Sequence, residues 1–161
     1  MLLYRVAPQL YANDLSGRGA QLFGGRWNPK GWTALYTAES AASAMLEYLP
    51  HYPETCAPPD LVLVTIEAPD TITIQKVDAA SLPDNWSARP PAAGTVLLGR
   101  EWLLTGKTVA LRVPSIMLPY GKAWNLVLNP AHPEYGGIRI AEVVPLPVDP
   151  RLAEKLGGAG A

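Results

Sequence analysis

The sequence predicts an α+β domain. Three observations lead there: short apolar or alternating segments of strand length recur along the whole chain, few stretches read as helices, and the two kinds do not alternate regularly as a doubly wound sheet requires. At 161 residues the chain fits one domain with a proper core. That domain is expected over residues 1–156, with Gly157-Gly158-Ala159-Gly160-Ala161 as a frayed, flexible tail.

Leu2 to Val6 reads as a short opening strand. Residues 7–34 are irregular and rich in Gly, Asn and Trp; a loop this long in a small domain is usually functional or disordered. Tyr11, Leu15, Leu22, Phe23, Trp27 and Trp32 argue that it is ordered. Ala34-Leu35-Tyr36 is a strand stub. Thr37 to Leu49 is the clearest helix, with Thr37 or Ser40 as its cap, Glu39 at the positive end of the dipole and Pro50 as its stop. Ala38, Ala42, Met45 and Leu49 should form the face that packs on the sheet. Ser40, Ser43 and Glu47 fall on another face at i, i+3, i+7, where small hydroxyls beside a carboxylate leave room for a ligand.

Leu61 to Ile66 is a continuous apolar run, as in a buried strand. Thr71 to Val77 alternates like a second, and residues 79–93 form a proline-containing connection. Thr95 to Leu104 is a helix ended by Gly106. Three strands close the chain: Val109 to Val113 running into Pro114-Ser115, Trp124 to Leu128 running into Asn129-Pro130, and Ile138 to Val144.

Composition removes several function classes. A hydrophobic fraction of 48% with 17% charged residues describes a compact globule. A formal net charge of -1 disfavours tracking of a nucleic-acid backbone, so no direct nucleic-acid binding is expected. The positive charge is uneven: residues 1–30 hold Arg5, Arg18, Arg26 and Lys30 against only Asp14, a local tendency to bind anions. Cys56 stands alone, so it makes no intramolecular disulfide and no cysteine-rich metal site, and it reads as a small buried or loop residue. His51 and His132 make no convincing metal site either. No apolar run approaches a membrane span, and Met1-Leu2-Leu3-Tyr4-Arg5 lacks the form of a signal peptide. A cytoplasmic protein without membrane contact is expected.

The most informative stretch is Gly24-Gly25-Arg26-Trp27-Asn28, followed by Tyr36 and Glu47. A guanidinium matches phosphate oxygens bidentately, an aromatic face attracts a cationic ring, and a carboxylate stabilises positive charge developing on a sugar. A nucleotide with a cationic base, such as NAD, presents those three needs together.

These residues resemble the RES-domain family, the toxin half of many bacterial toxin–antitoxin pairs. The matching text runs through Tyr4-Arg5, Gly24-Gly25-Arg26-Trp27-Asn28, Leu35-Tyr36, Ala44-Met45-Leu46-Glu47, Val113-Pro114-Ser115 and Asn129-Pro130-Ala131-His132-Pro133. The arginine, glutamate and serine that name the family map to Arg26, Glu47 and Ser115. The resemblance implies a split, mixed sheet similar to ADP-ribosyltransferases, with the nucleotide in the cleft. It implies NAD as substrate, no metal, and consumption of cellular NAD as the toxic effect. It implies as partner an antitoxin with an Xre-like helix-turn-helix domain that blocks the active site, and it admits a homodimer within that complex.

Under this reading Glu47 stabilises the oxocarbenium-like transition state of nicotinamide–ribose cleavage, whose leaving group needs no general acid. The bland alternative is a solvated glutamate on a helix surface. Arg26, presented by a Gly-Gly turn with Gly25 allowing close backbone approach, clamps phosphate or ribose, or else pairs with a carboxylate to order its loop. Tyr36 stacks on nicotinamide or packs in the core. Ser115 bonds the substrate, orients Glu47, or closes its own turn. Arg5 is a second anion contact or a strand-end arginine in water. Trp27 and Asn28 complete the loop's candidate substrate contacts, with packing the commoner role for Trp27. Asn129 and His132 shape the cleft wall or bond the nucleotide, although a histidine in such a turn is more often structural. ADP-ribosyl transfer to a protein target, a ribonuclease toxin and a non-catalytic nucleotide- or partner-binding module are the competing readings. The near-neutral charge argues against the ribonuclease.

Overall fold

A single mixed sheet, nearly cut in two, organises the chain. The computed structural model describes residues 1–51, 60–118, 122–147, 149 and 151; Cys56 and the tail expected at 157–161 lie outside them. Among the described residues the strands are β1 (Leu2–Pro8), β2 (Leu35–Ala38), β3 (Leu61–Glu67), β4 (Ile74–Lys76), β5 (Ala110–Pro114), β6 (Trp124–Leu128) and β7 (Arg139–Pro145). They lie in the order β4-β5-β6-β2-β1-β3-β7. Only β4 and β5 run parallel; the other neighbours are antiparallel. The α+β class and the mixed sheet expected from the sequence are both present.

The cut lies between β1 and β2. β1 is zipped to β3 along its whole length, from Leu2↔Glu67 to Pro8↔Leu61. Against β2 it pairs at one position, Tyr4↔Ala38. The two strands therefore diverge on leaving that point, and the gap becomes a cleft.

Strand alternation sorts the side chains into two faces. Leu3, Leu35, Val64, Ile66, Ala110, Leu126 and Leu128 form the core on one face. On the other face two separate clusters form. One packs Trp102 and Leu103 of helix α3 (Ala93–Thr105) onto Leu111, Val113 and Val127. The second packs Ala44, Met45 and Tyr48 of helix α2 (Ala41–Tyr48) onto Val6, Ala38 and Leu61. Each half-sheet thus carries its own helix, and the cleft opens between them. Gly106 ends α3 in the left-handed conformation expected of it.

Three local expectations change. α2 begins at Ala41, not Thr37, because Thr37 and Ala38 extend β2 against Leu126 and Asn125 of β6. The buried Thr37 hydroxyl donates to the Leu126 carbonyl at 2.8 Å, and Ser40 caps the helix by accepting from the Ser43 backbone N–H at 3.1 Å. With the start moved, the packed face is Ala44, Met45 and Tyr48, while Ala42 is exposed. After Tyr48 the helix tightens into a 3-10 turn, Leu49–His51. Second, the long loop contains a short helix α1 (Arg18–Phe23) between Gly17 and Gly24, prepared by Asp14, whose carboxylate accepts from both the N–H and hydroxyl of Ser16. Third, β4 is only Ile74–Lys76, because Ile72 turns back onto the Pro69 carbonyl and the Thr73 hydroxyl accepts from the Val109 N–H. Among the described residues no helix is long and apolar enough to cross a membrane.

Candidate active site

The cleft encloses about 660 Å³, within the range of small-molecule and cofactor sites. A row of residues crosses its floor from one half-sheet to the other, in register: Val113, Asn125, Ala38 and Tyr4. Glu47 enters from α2, Tyr36 from β2, and Gly25, Arg26 and Trp27 from the loop after α1.

Glu47 is held at one oxygen. The Ser115 hydroxyl donates to its Oε1 at 2.6 Å and the Asn125 amide donates to the same atom at 2.7 Å. Its Oε2 has no hydrogen-bond partner among the described residues. Ser115 is itself fixed: only 1% exposed, its oxygen accepts from the backbone N–H groups of Met117 and Leu118 at 3.1 and 3.2 Å. Those two donors occupy its lone pairs and leave its single proton for Glu47. Of the roles open to Ser115 in the sequence, the geometry selects the one that orients the carboxylate.

Asn125 escaped the sequence reading. Its amide orientation is set by Glu47, because turning the amide over would place two oxygens against each other. Its own carbonyl oxygen is buried without a partner among the described residues, which costs stability. The signal was available: one asparagine inside the otherwise apolar strand Trp124-Asn125-Leu126-Val127-Leu128.

Tyr36 presents its ring to the cleft while its hydroxyl points into the loop. That hydroxyl donates to Asn28 Oδ1 at 2.8 Å and accepts from the Trp27 N–H at 2.9 Å. Burial raises its pKa well above the ordinary phenol value, against a smaller opposing effect from the Trp27 N–H. Gly25 lies against this bond, and a Cβ there would come within 2.5 Å of the Tyr36 hydroxyl oxygen. A similar close approach occurs at Gly99 of α3, where a Cβ would fall 1.9 Å from the Trp27 carbonyl oxygen. Two glycines thus allow the Arg26 loop to sit between β2 and α3.

Asn28 is 1% exposed, and its hydrogen bonds are spent on the protein. Its amide nitrogen donates to the carbonyls of Ala20, Trp32 and Pro29 at 2.9, 3.0 and 3.2 Å, and its oxygen takes the Tyr36 proton. The expected substrate contact is therefore replaced by a buried support for the loop. Trp27 is 3% exposed and packs with Trp102 and Val113, so it borders the cleft from within the core.

Arg26 reaches across the cleft wall. Its guanidinium donates to the Trp86 carbonyl at 2.5 Å and the Ala88 carbonyl at 3.0 Å, leaving further N–H groups. Burial, then the charge of Arg89, lowers its pKa, while Glu47 and Tyr36 act in the opposite sense. Arg5 also borders the cleft, but it is paired with Val64 on the opposite face of β1. There it donates to the carbonyls of Asp14 and Tyr11 at 2.5 and 3.0 Å. Its role in the structure is to tie down the first loop, and burial lowers its pKa despite the nearby Asp14.

Asn129 and His132 are not among the cleft-lining residues. Asn129 follows β6 four residues beyond Asn125, about 13 Å along an extended strand. Its side chain accepts from the Ala131 N–H at 3.0 Å, and His132 Nδ1 accepts from the Glu134 N–H at 3.1 Å, capping the 3-10 turn Pro133–Gly137. Both shape a turn at the other end of the sheet, so the wall or nucleotide contact expected of them is corrected.

The RES domain family model matches residues 2–149. The chain is 38% identical over 146 residues to the Prs ADP-ribosylating toxin of Sphingobium sp. strain YBL2, covering 89% of both chains. It is 38% identical over 155 residues to Toxin Res of Yersinia enterocolitica, covering 94% of this chain and 99% of that one. Its fold is similar to that in the crystal structure of the M. tuberculosis MbcT-MbcA toxin-antitoxin complex, with a TM-score of 0.71 and 22% identity over 98% of this chain and 89% of that chain.

Proposed function

The chain belongs to the RES domain family, and from that premise we propose that it is a toxin enzyme that cleaves NAD at the nicotinamide–ribose bond. The observation that carries the reading is the state of Glu47: a carboxylate in a nucleotide-sized cleft, held at Oε1 by Ser115 and Asn125, with no donor to Oε2 among the described residues.

In the proposed step the C1′–N1 bond breaks and its electron pair passes to the pyridinium nitrogen, releasing neutral nicotinamide. Positive charge develops at C1′ and the ring oxygen, where the Glu47 carboxylate stabilises it, directly or through a ribose hydroxyl. An acceptor oxygen or other nucleophile then bonds to C1′ and loses its proton to solvent. The Tyr36 ring offers a π-face to the cationic nicotinamide of the ground state. Arg26 contributes positive potential on the phosphate side.

Water or inorganic phosphate as acceptor makes the protein an NAD-depleting toxin. A second reading, transfer of ADP-ribose to a protein side chain, is favoured by the name of the Sphingobium relative, an ADP-ribosylating toxin. The structural neighbour is bound to an antitoxin, and we extend that to this chain: a cognate antitoxin, with an Xre-like helix-turn-helix domain, covers the cleft.

Incubation of the purified protein with NAD, with and without phosphate, tests the reading. Nicotinamide release by the wild type, reduced about 10²–10³-fold in Glu47→Gln, is expected. A phosphate requirement marks phosphorolysis; free ADP-ribose marks hydrolysis. Nicotinamide release only with added lysate, accompanied by a labelled protein, marks transfer. No release under any of these conditions overturns the proposal.

A further inference from the structure

Besides Arg5 and Arg26, the cleft is bordered by one more arginine, Arg89, which the sequence pattern does not single out. Arg26 and Arg89 are linked through the backbone: the carbonyls that receive the Arg26 guanidinium belong to Trp86 and Ala88, three residues and one residue before Arg89. Arg26 therefore fixes the segment that presents Arg89. The Arg89 guanidinium makes one side-chain contact among the described residues, from Nη2 to the Met117 thioether at 3.2 Å, a weak acceptor that leaves most of its donors available.

Neither arginine has an ion-pair partner among the described residues. Among the described residues the ion pairs join the N-terminus to Asp70, Arg112 to Glu39, Arg139 to Glu67 and Arg151 to Asp149. Two guanidinium groups that line one cleft, with the charge of Arg89 opposing that of Arg26, favour an anion with charge on two adjacent centres.

We propose that Arg26 and Arg89 form a diphosphate site, in which Arg89 makes the direct contact and Arg26 both contributes charge and braces the segment that carries it. The ligand class is a diphosphate-bridged nucleotide. The inference deepens the reading of the cleft as an NAD site and rests on it for the identity of that ligand. It divides the cavity by charge, with a cationic wall for the diphosphate and the Glu47 carboxylate for the ribose at the scissile bond.

The test is calorimetric titration of ADP-ribose into wild type, Arg89→Gln and Arg89→Lys at low salt. Arg89→Gln should weaken binding by about ten- to a hundredfold, the range for loss of a charge-assisted hydrogen bond. Arg89→Lys should recover part of that loss, since it keeps the charge without the fork. In turnover, Arg89→Gln should raise KM for NAD with little change in kcat, and leave KM for nicotinamide riboside, which has no phosphate, unchanged. Equal ADP-ribose affinity in wild type and Arg89→Gln, or a parallel rise in KM for the riboside, overturns the proposal. If no form releases nicotinamide but ADP-ribose binding still depends on Arg89, the anion site stands and the catalytic reading falls. If all forms release nicotinamide and none binds ADP-ribose, the reverse holds.

Discussion

The two edges of β1 do opposite things. Along β3 the strand is paired from end to end, and the residues facing each other there, Leu3 and Ile66, are fully buried. Along β2 it touches at Tyr4↔Ala38 and separates, and the cleft with Glu47, Tyr36 and Arg26 opens at that seam. One seam joins the chain into a fold and the other keeps two half-sheets apart, each under its own helix. Stability and the proposed chemistry thus fall on different sides of one strand. Sites held by rigid elements around a gap are better fixed than sites on loops alone.

A paired substitution is the most direct way to break this contrast. Ile66→Ala, on the closed seam, should cost about 2–5 kcal/mol by denaturant unfolding while leaving turnover per folded molecule intact. Glu47→Gln should do the reverse, with an unchanged midpoint and the loss of turnover described above. A large stability loss in Glu47→Gln would falsify the division. Asn125→Leu probes the join between the half-sheets more finely: it removes one of two donors to Glu47 and also a buried unpaired carbonyl. A fall in kcat of about tenfold, with little change in KM and no loss of stability, is expected.

The smallest effect concerns the opposite face, where the Tyr135 hydroxyl donates to the Leu15 carbonyl at 2.5 Å and burial pushes its pKa up to about 12. A phenol whose folded pKa is raised contributes stability that is complete below pH 10 and is lost as pH rises through about 12. Tyr135→Phe should therefore cost about 1 kcal/mol at neutral pH and make the alkaline decline shallower. An unchanged alkaline limb in melting curves would show that this loop anchor does not report on ionisation.

Local pattern made much of this legible. Apolar runs located β3, β5 and β6, and Ser40 and Gly106 were readable as helix boundaries. Arg26, Tyr36 and Glu47, which line one cleft, stood out because those residue types together suit one class of ligand. Long-range pairing was not visible. Thr37 and Ala38 have helix-compatible neighbours, yet pairing with β6 takes them into a strand and shifts the packed face of α2. Asn125 meets Glu47 because β6 lies beside β2, and Arg89 comes to the cleft on a connection some sixty residues from Arg26, whose carbonyls Arg26 grips and whose Leu82 and Trp86 pack in the core. Asn129 and His132 carry polar groups whose partners lie within their own turn, and those of Asn28 lie in its loop and on Tyr36 of β2, which residue type alone does not disclose.

The one-sided grip on Glu47 has a thermodynamic consequence. A glutamate side chain loses up to about 1.5–2 kcal/mol of rotamer entropy when it is immobilised. Here Ser115 and Asn125 immobilise it as the chain folds, before any nucleotide arrives. The ordering cost is carried by the folding equilibrium and not by binding. Weakening the grip should appear as a less favourable activation entropy, with the melting temperature little affected.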